Sequence, residues 1–338
     1  SQTTFANETK QTAIEVITVK APKLTHSETA LAEGNLVMPD VADWLKTVPG
    51  ANINKNGPIS GIAQYRGMYG DRISKSINGH QIISAGPNAM DAPLTYINPI
   101  MVDSVAVYRG IAPVNSGIDT FGGSVEVNLK RATTSKETIM SGDMATSYND
   151  INNASTLAAN VNFSANNFGL LSYFSDQKGE DYKSADDETV KSTQYDKQQY
   201  GADLSYQVSN LSLAATWHHS QTNHSGTPAL PMDIDYIKSD RYNHNGEYET
   251  PSYKLKWQLG SQDATHGMDN FSQRENTNPD KYRYNTAKAK TLDYKFEVIT
   301  DALSFGIGGF SAEHNSIITN PENMMFKIIN FNKVMDEK

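Results

Sequence analysis

Cysteine is missing from the chain, which excludes a disulfide framework and every thiolate-based metal site. An excess of base is missing too: 29 Lys and Arg stand against 38 Asp and Glu, a net charge of -9 with a pI near 5.4. A nucleic-acid binder usually carries a basic face, so nucleic acid is not an expected partner. No apolar run approaches the roughly 18 residues of a membrane helix. A β-barrel stays open, because its strands of about 9–11 residues alternate apolar and polar and keep mean hydropathy low. The value here, -0.55 with 17 tyrosines, fits that class and also fits a soluble acidic β protein. No signal peptide is present, so one is expected to have been removed or to lie before Ser1. No glycine-rich phosphate loop, nucleophile elbow or pair of catalytic carboxylates occurs, and an enzyme is not expected.

What is present organises itself around residues 45–131. Short apolar segments are separated by turn signals: Arg66-Gly67, Asn78-Gly79 and Gly122-Gly123. Asn78-Gly79 suits a two-residue hairpin, since both central positions accept positive φ. Residues 102–108 alternate as a half-buried strand does, and so do Val125, Val127 and Leu129. Upstream, Asp40 can start a short helix whose apolar face is Val41, Trp44, Leu45 and Val48 and which Pro49-Gly50 stops. Together these predict a compact mixed α/β domain.

The order and wording of these segments, with Ile97-Asn98-Pro99 through Arg109-Gly110 and Phe121-Gly122-Gly123, resembles the plug domain of TonB-dependent outer-membrane receptors. That resemblance implies three parts: a flexible leader over 1–24, a plug over 25–131 and barrel strands over 132–338. The leader contains Ile14, Glu15, Val16, Ile17, Thr18 and Val19, an extended apolar stretch that reads either as a plain edge strand or, by the resemblance, as the TonB box. A TonB box adds a strand to the TonB energy-coupling protein. The resemblance also implies that plug arginines, among Arg66, Arg72 and Arg109, pair with carboxylates of the barrel wall.

After Arg131 the pattern changes to long period-two runs at 138–148, 155–165, 168–176, 200–208 and 211–220. Further strands are expected at 252–260, 263–273, 291–300, 303–314 and 325–334. Long polar stretches at 177–199 and 221–250 are expected loops, and Asn152-Asn153 and Ser209-Asn210 expected turns. The fold class is therefore a mixed α/β plug followed by antiparallel transmembrane β-barrel strands, facing outer-membrane lipid. About ten strands in about two hundred residues fall short of the roughly 22 strands of a plugged transporter, so the barrel is expected to be incomplete, with two open edges.

Two motifs carry candidate chemistry. His266 and Met268 are two apart on an expected strand and so share a face; an imidazole beside a thioether suits Cu(I). Met90 could reach them from the plug. These motifs resemble those of TonB-dependent copper receptors, where the plug carries Cys-x-x-x-Met before Asp and the wall carries His-x-Met-Asp-Asn. Met90, Asp91, His266, Met268, Asp269 and Asn270 match, Gly86 stands at the cysteine position, and residues 227–233 resemble a loop of that family. The resemblance implies a copper ion, as transported ligand, held by Met90, His266 and Met268. The alternatives are a receptor for a siderophore, haem or other metal chelate, and an uncoupled pore or adhesin. Neighbours on a strand face opposite ways, so His218 and His219 cannot both bind one ion without a bulge; with His224 they are expected as strand-end and loop histidines. Met324-Met325 is a possible soft patch. Asp186, Asp187, Glu188, Asp233 and Asp235 lack the spacing of a calcium loop and are expected as solvated loop charge.

Overall fold

The structure is a computed structural model and describes residues 26–30, 37–86, 90–108, 122–322 and 327–337. The segment 14–19 lies outside them, as do Arg109 and Met324-Met325.

The first unit is built from β1 (His26–Ala30), β2 (Ala51–Lys55), β3 (Gly61–Tyr65), β4 (Met68–Tyr69), β5 (Ser74–Ile77), β6 (His80–Gln81), β7 (Val102–Tyr108) and β8 (Ser124–Leu129). Five of these strands form one sheet in the order β1-β7-β8-β5-β6, and β2-β3-β4 form a second. Within the larger sheet β5 and β8 run parallel, the rest antiparallel. Asn78 and Gly79 both take positive φ, 51° and 82°, as a tight β5–β6 turn demands. The expected helix forms as a 3-10 helix, Val41–Thr47. Asp40 caps it: one carboxyl oxygen accepts from Ala42 N at 2.9 Å and the other from Gly61 N at 2.8 Å. Its apolar face joins a core with Ile73, Ile77, Ile100 and Val127.

The second unit is a ten-stranded meander in which each strand pairs with the next, antiparallel throughout. Its strands are β9 (Ile139–Asn149), β10 (Ala154–Ala165), β11 (Phe168–Gly179), β12 (Tyr195–Val208), β13 (Leu211–Ser225), β14 (Asp233–Glu249), β15 (Lys254–Asp269), β16 (Tyr284–Ile299), β17 (Ser304–Thr319) and β18 (Lys327–Glu337). Connections at one end are short, as at 166–167 and 209–210; those at the other run long, 180–194 and 270–283. One face carries exposed Phe168, Leu170 and Phe174, while Leu171, Tyr173 and Ser175 between them are buried. That buried face packs on the first unit: Ala158, Leu171 and Tyr173 belong to the same core as Trp44 and Leu45. An outward apolar belt with a polar and packed interior is the pattern of a barrel wall. The sheet is not closed; β9 and β18 are its edges among the described residues.

Two expectations needed correction. Residues 233–249 form a strand, not loop, because the outward face carries Lys238 and Asp240 and the inward face Ser239, Arg241 and Asn243, so no apolar period shows. The two strands expected at 252–260 and 263–273 are one, β15; Ser261-Gln262 reads as a turn but continues the ladder opposite Arg241 and Tyr242.

Candidate functional site

His266 and Met268 lie near the long-connection end of β15, with both side chains fully buried. Their ladder partners are Ile237 and Ala287 for His266, Ile234 and Asn285 for Met268. A bulge in β14 at Ile234/Tyr236 lies beside them; such an extra residue re-aims the side chains of a strand end. From the first unit comes the segment holding Gly86, Met90 and Asp91. Met90 is half-buried and packs on a cluster that includes Ala85, Tyr96, Ile234 and Met268.

Asp91 shapes this segment. Its buried carboxyl accepts from Ala85 N at 2.6 Å, from Gly86 N at 3.0 Å and from the Tyr96 hydroxyl. Burial, and then the adjacent Asp91, push the Tyr96 phenol well above its usual range, so the phenol keeps its proton and donates. Asp91 Oδ1 stands 3.6 Å from His266 Nδ1. Neither ring nitrogen of His266 has a hydrogen-bond partner. The ring fits because residue 86 is glycine: a Cβ there would lie 2.6 Å from Nδ1 and 2.8 Å from Cε1.

A buried polar group left unpaired costs about 1–3 kcal/mol, and in native proteins such a group calls for an explanation such as an ion or a water. Among the described residues no three His, Asp or Glu side chains group to hold a metal. An ion at His266 would therefore depend on thioether sulfur, which selects soft ions.

Residues 32–124 match the family model of the TonB-dependent receptor plug domain. The chain carries a TonB-dependent receptor plug. Solved structures of the same architecture include the copper transporter OprC, at 20% identity and a TM-score of 0.81 over 90% of this chain and 48% of that one. They also include a ferric enterobactin receptor, PfeA, mutant from Pseudomonas aeruginosa, at 15% identity and a TM-score of 0.65 over 87% of this chain and 49% of that one. The siderophore receptor PirA from Acinetobacter baumannii matches at 14% identity and a TM-score of 0.62, over 87% of this chain and 48% of that one. The chain thus spans about half the length of these structures, and the likeness establishes the fold: a plug inside part of a barrel wall. No curated protein matches the chain in sequence.

The remaining sequence candidates separate. His218 and His219 lie in the middle of β13 and His224 near its end, not at a strand end and in a loop, because the strand runs on to Ser225. His218 is buried, its Nδ1 2.9 Å from the Tyr173 hydroxyl of β11, whereas His219 pairs with Asp240 at 2.9 Å and His224 lies 3.6 Å from Asp235. Asp187 pairs with Lys183 as loop charge. Asp233 does not: it is fully buried and gripped by Arg274. Arg66 and Arg72 lie over Tyr65 and Tyr69 and make no ion pair among the described residues. Among the described residues, Arg131 reaches the wall, 3.0 Å from Asp203. Lys197 was not singled out, yet it is completely buried and donates to the Pro39 carbonyl at 3.2 Å. It fell in the expected loop 177–199, whereas β12 begins at Tyr195 and turns Lys197 inward.

Proposed function

We propose that this chain is the plug and first wall strands of an outer-membrane TonB-dependent transporter that takes up copper into the periplasm. Residues 25–131 are the plug in this reading and 132–338 the wall, whose remaining strands would close the barrel. The outward apolar belt of Phe168, Leu170 and Phe174 supports lipid on one face. The observation that carries the cargo is His266: fully buried, unpaired at both nitrogens, with Met268 two residues along and Met90 in the same cluster. An imidazole and two thioethers favour Cu(I) over zinc or calcium. Asp91, 3.6 Å from the ring, adds the negative charge that a cation in a dry pocket needs. Gly86 leaves the site without a thiolate, which moderates affinity but keeps the soft selection. No enzymatic step belongs to this reading.

A titration of the full-length receptor with copper, zinc and a ferric chelate tests it. Copper should bind best, and the double change Met90→Ala, His266→Ala should remove that preference. Copper binding unaltered by the double change would sink the site and favour a chelate receptor, a reading that the shared fold of PfeA and PirA keeps in view. Capture from the loop side would bias the leader toward TonB, with Ile14 to Val19 as the added strand. Val16→Pro removes a backbone donor and should abolish uptake while leaving copper binding intact.

A further inference from the structure

His266 and Met268 are fully buried, so no ion reaches them unless something above them moves. The segment above them is the β13–β14 connection, 226–232. Pro228, Ala229 and Pro231 face outward and are exposed, while Leu230 and Met232 are half-buried and pack on the cluster that holds Met268 and Met90. The segment Gly226-Thr-Pro-Ala-Leu-Pro-Met232 carries no charge, and its two prolines fix φ and stiffen it.

Its attachments are lopsided. Toward the plug it makes one long amide bond, Ala229 N to Asn56 O at 3.4 Å, and a close approach in which a Cβ at Gly57 would lie 2.2 Å from Gly226 O. Toward the wall, Gly226 N donates to the Gln194 carbonyl at 2.9 Å, and beyond that backbone bond the segment is held by one side-chain fork. Arg274, from the 270–283 connection, forks onto Asp233: Nε donates to Oδ2 at 2.7 Å and Nη2 to Oδ1 at 2.6 Å. The same guanidinium donates to the Leu230 carbonyl at 2.9 Å and the Thr227 carbonyl at 3.4 Å. Asp233 in turn accepts from Thr227 N at 2.8 Å and from the Ser192 hydroxyl at 3.2 Å. One arginine thus fixes the start, middle and end of the segment. Bidentate arginine–carboxylate pairs are strong and geometrically specific. The Asp233 side chain is 1% exposed but that of Arg274 is 25% exposed, so water can compete for the guanidinium.

We propose that 226–232 is a lid over the pocket of His266, Met268 and Met90, and that Arg274 is its latch, a positioning residue that sets the rate at which cargo enters and leaves. The assignment of copper as that cargo rests on the function proposed above; the latch itself does not.

The test uses the full-length receptor with Arg274→Ala and Arg274→Lys. Three rates are read: amide hydrogen exchange across 226–232, release of Cu(I) to a competing chelator, and labelling of Ala85→Cys by a water-soluble thiol reagent in a background with no other cysteine. Ala85 lies under the lid at 1% exposure. Arg274→Ala should raise each rate at least about tenfold, the minimum expected when a half-buried bidentate pair is lost, without changing the number of ions bound. Arg274→Lys, which keeps the charge and loses the fork, should fall between. Unchanged exchange and labelling in Arg274→Ala would overturn the latch. Faster exchange and labelling with unchanged Cu(I) release would overturn its control of cargo. Faster labelling in a receptor that binds no copper would uphold the latch and discard the copper reading.

Discussion

Two of the histidines buried where plug meets wall, His80 and His266, differ in one respect. His80, from the plug, has both ring nitrogens engaged: Nδ1 lies 2.7 Å from Asp293 Oδ2, and Nε2 lies 3.2 Å from the Asn245 amide nitrogen. Asn245 also accepts from Arg131, which pairs with Asp203, so the network closes on itself across plug and three wall strands. His266, from the wall, is as deeply buried and has neither nitrogen bonded. The two differ in the state of their partners, not in burial. His80 belongs to the joint between the two units; in the function proposed above, His266 is the group that meets the ion.

The largest expected difference is in metal affinity. Met90→Ala with His266→Ala should lower copper affinity more than about 100-fold, since two of three donors go and even an outer-shell change at a metal site costs about 10–100-fold. His80→Ala should leave copper affinity where it was. A copper titration of the three proteins checks both halves, and an equal loss in both variants would erase the distinction.

In stability the comparison reverses. His80→Ala leaves Asp293 facing the interior without its partner and takes one of its two partners from Asn245, which should cost about 3 kcal/mol. His266→Ala removes a group that had no hydrogen bond to lose, and should cost under about 1 kcal/mol beyond its packing. Denaturant unfolding of each variant of the full-length receptor, without copper, measures the two costs.

How much of this was legible beforehand follows from sequence distance. The face shared by His266 and Met268 is a two-residue property and was readable from period two alone, as were the turn at Asn78-Gly79 and the Asp40 cap. The strand β14 was not, because its lumen side carries Arg241 and Asn243 and its other side Lys238 and Asp240, which leaves no apolar alternation to detect. The Arg274–Asp233 fork spans 41 positions and the His80–Asp293 contact 213. No local rule links such pairs, and the turn arginines Arg66 and Arg72 looked just as eligible as Arg131. Met90 was drawn to His266 by resemblance; it packs on the cluster that holds Met268, and its pairing with His266 belongs to the proposed function.

Asp40 refines the comparison, because it has partners and is still penalised. Two backbone amides donate to it, yet burial raises its carboxyl from 3.8 to about 6, with Lys197 pulling the other way. The folded pKa lies above the unfolded one. Between about pH 4 and 6 the folded chain therefore holds a proton the unfolded chain has lost, and stability falls as pH rises through that window, then levels. Two pH units at about 1.36 kcal/mol each cap the effect near 3 kcal/mol, and about 1–2 is expected once relaxation around a buried carboxyl is allowed for. Asp40→Asn should flatten the slope when unfolding is measured at pH 4, 5, 6 and 7. Identical slopes in variant and wild type would place its origin elsewhere.

The smallest effect is expected at Gly86, and it bears on why His266 stays unpaired. The ring occupies space that any side chain at 86 would claim, with a Cβ 2.6 Å from Nδ1, far inside van der Waals contact. Gly86→Ala should push the imidazole aside, weaken copper binding by about tenfold, near 1.4 kcal/mol, and leave the fold intact. Gly86→Cys introduces the same Cβ and the same displacement but adds a soft thiolate, so it should bind copper more tightly than Gly86→Ala does. The pair separates space from chemistry: the alanine reports the cost of moving the ring, and the cysteine reports what a sulfur restores. If alanine leaves copper affinity unchanged, the ring is free to move and its orientation is not set by the plug. If cysteine binds no better than alanine, residue 86 faces the imidazole without facing the ion.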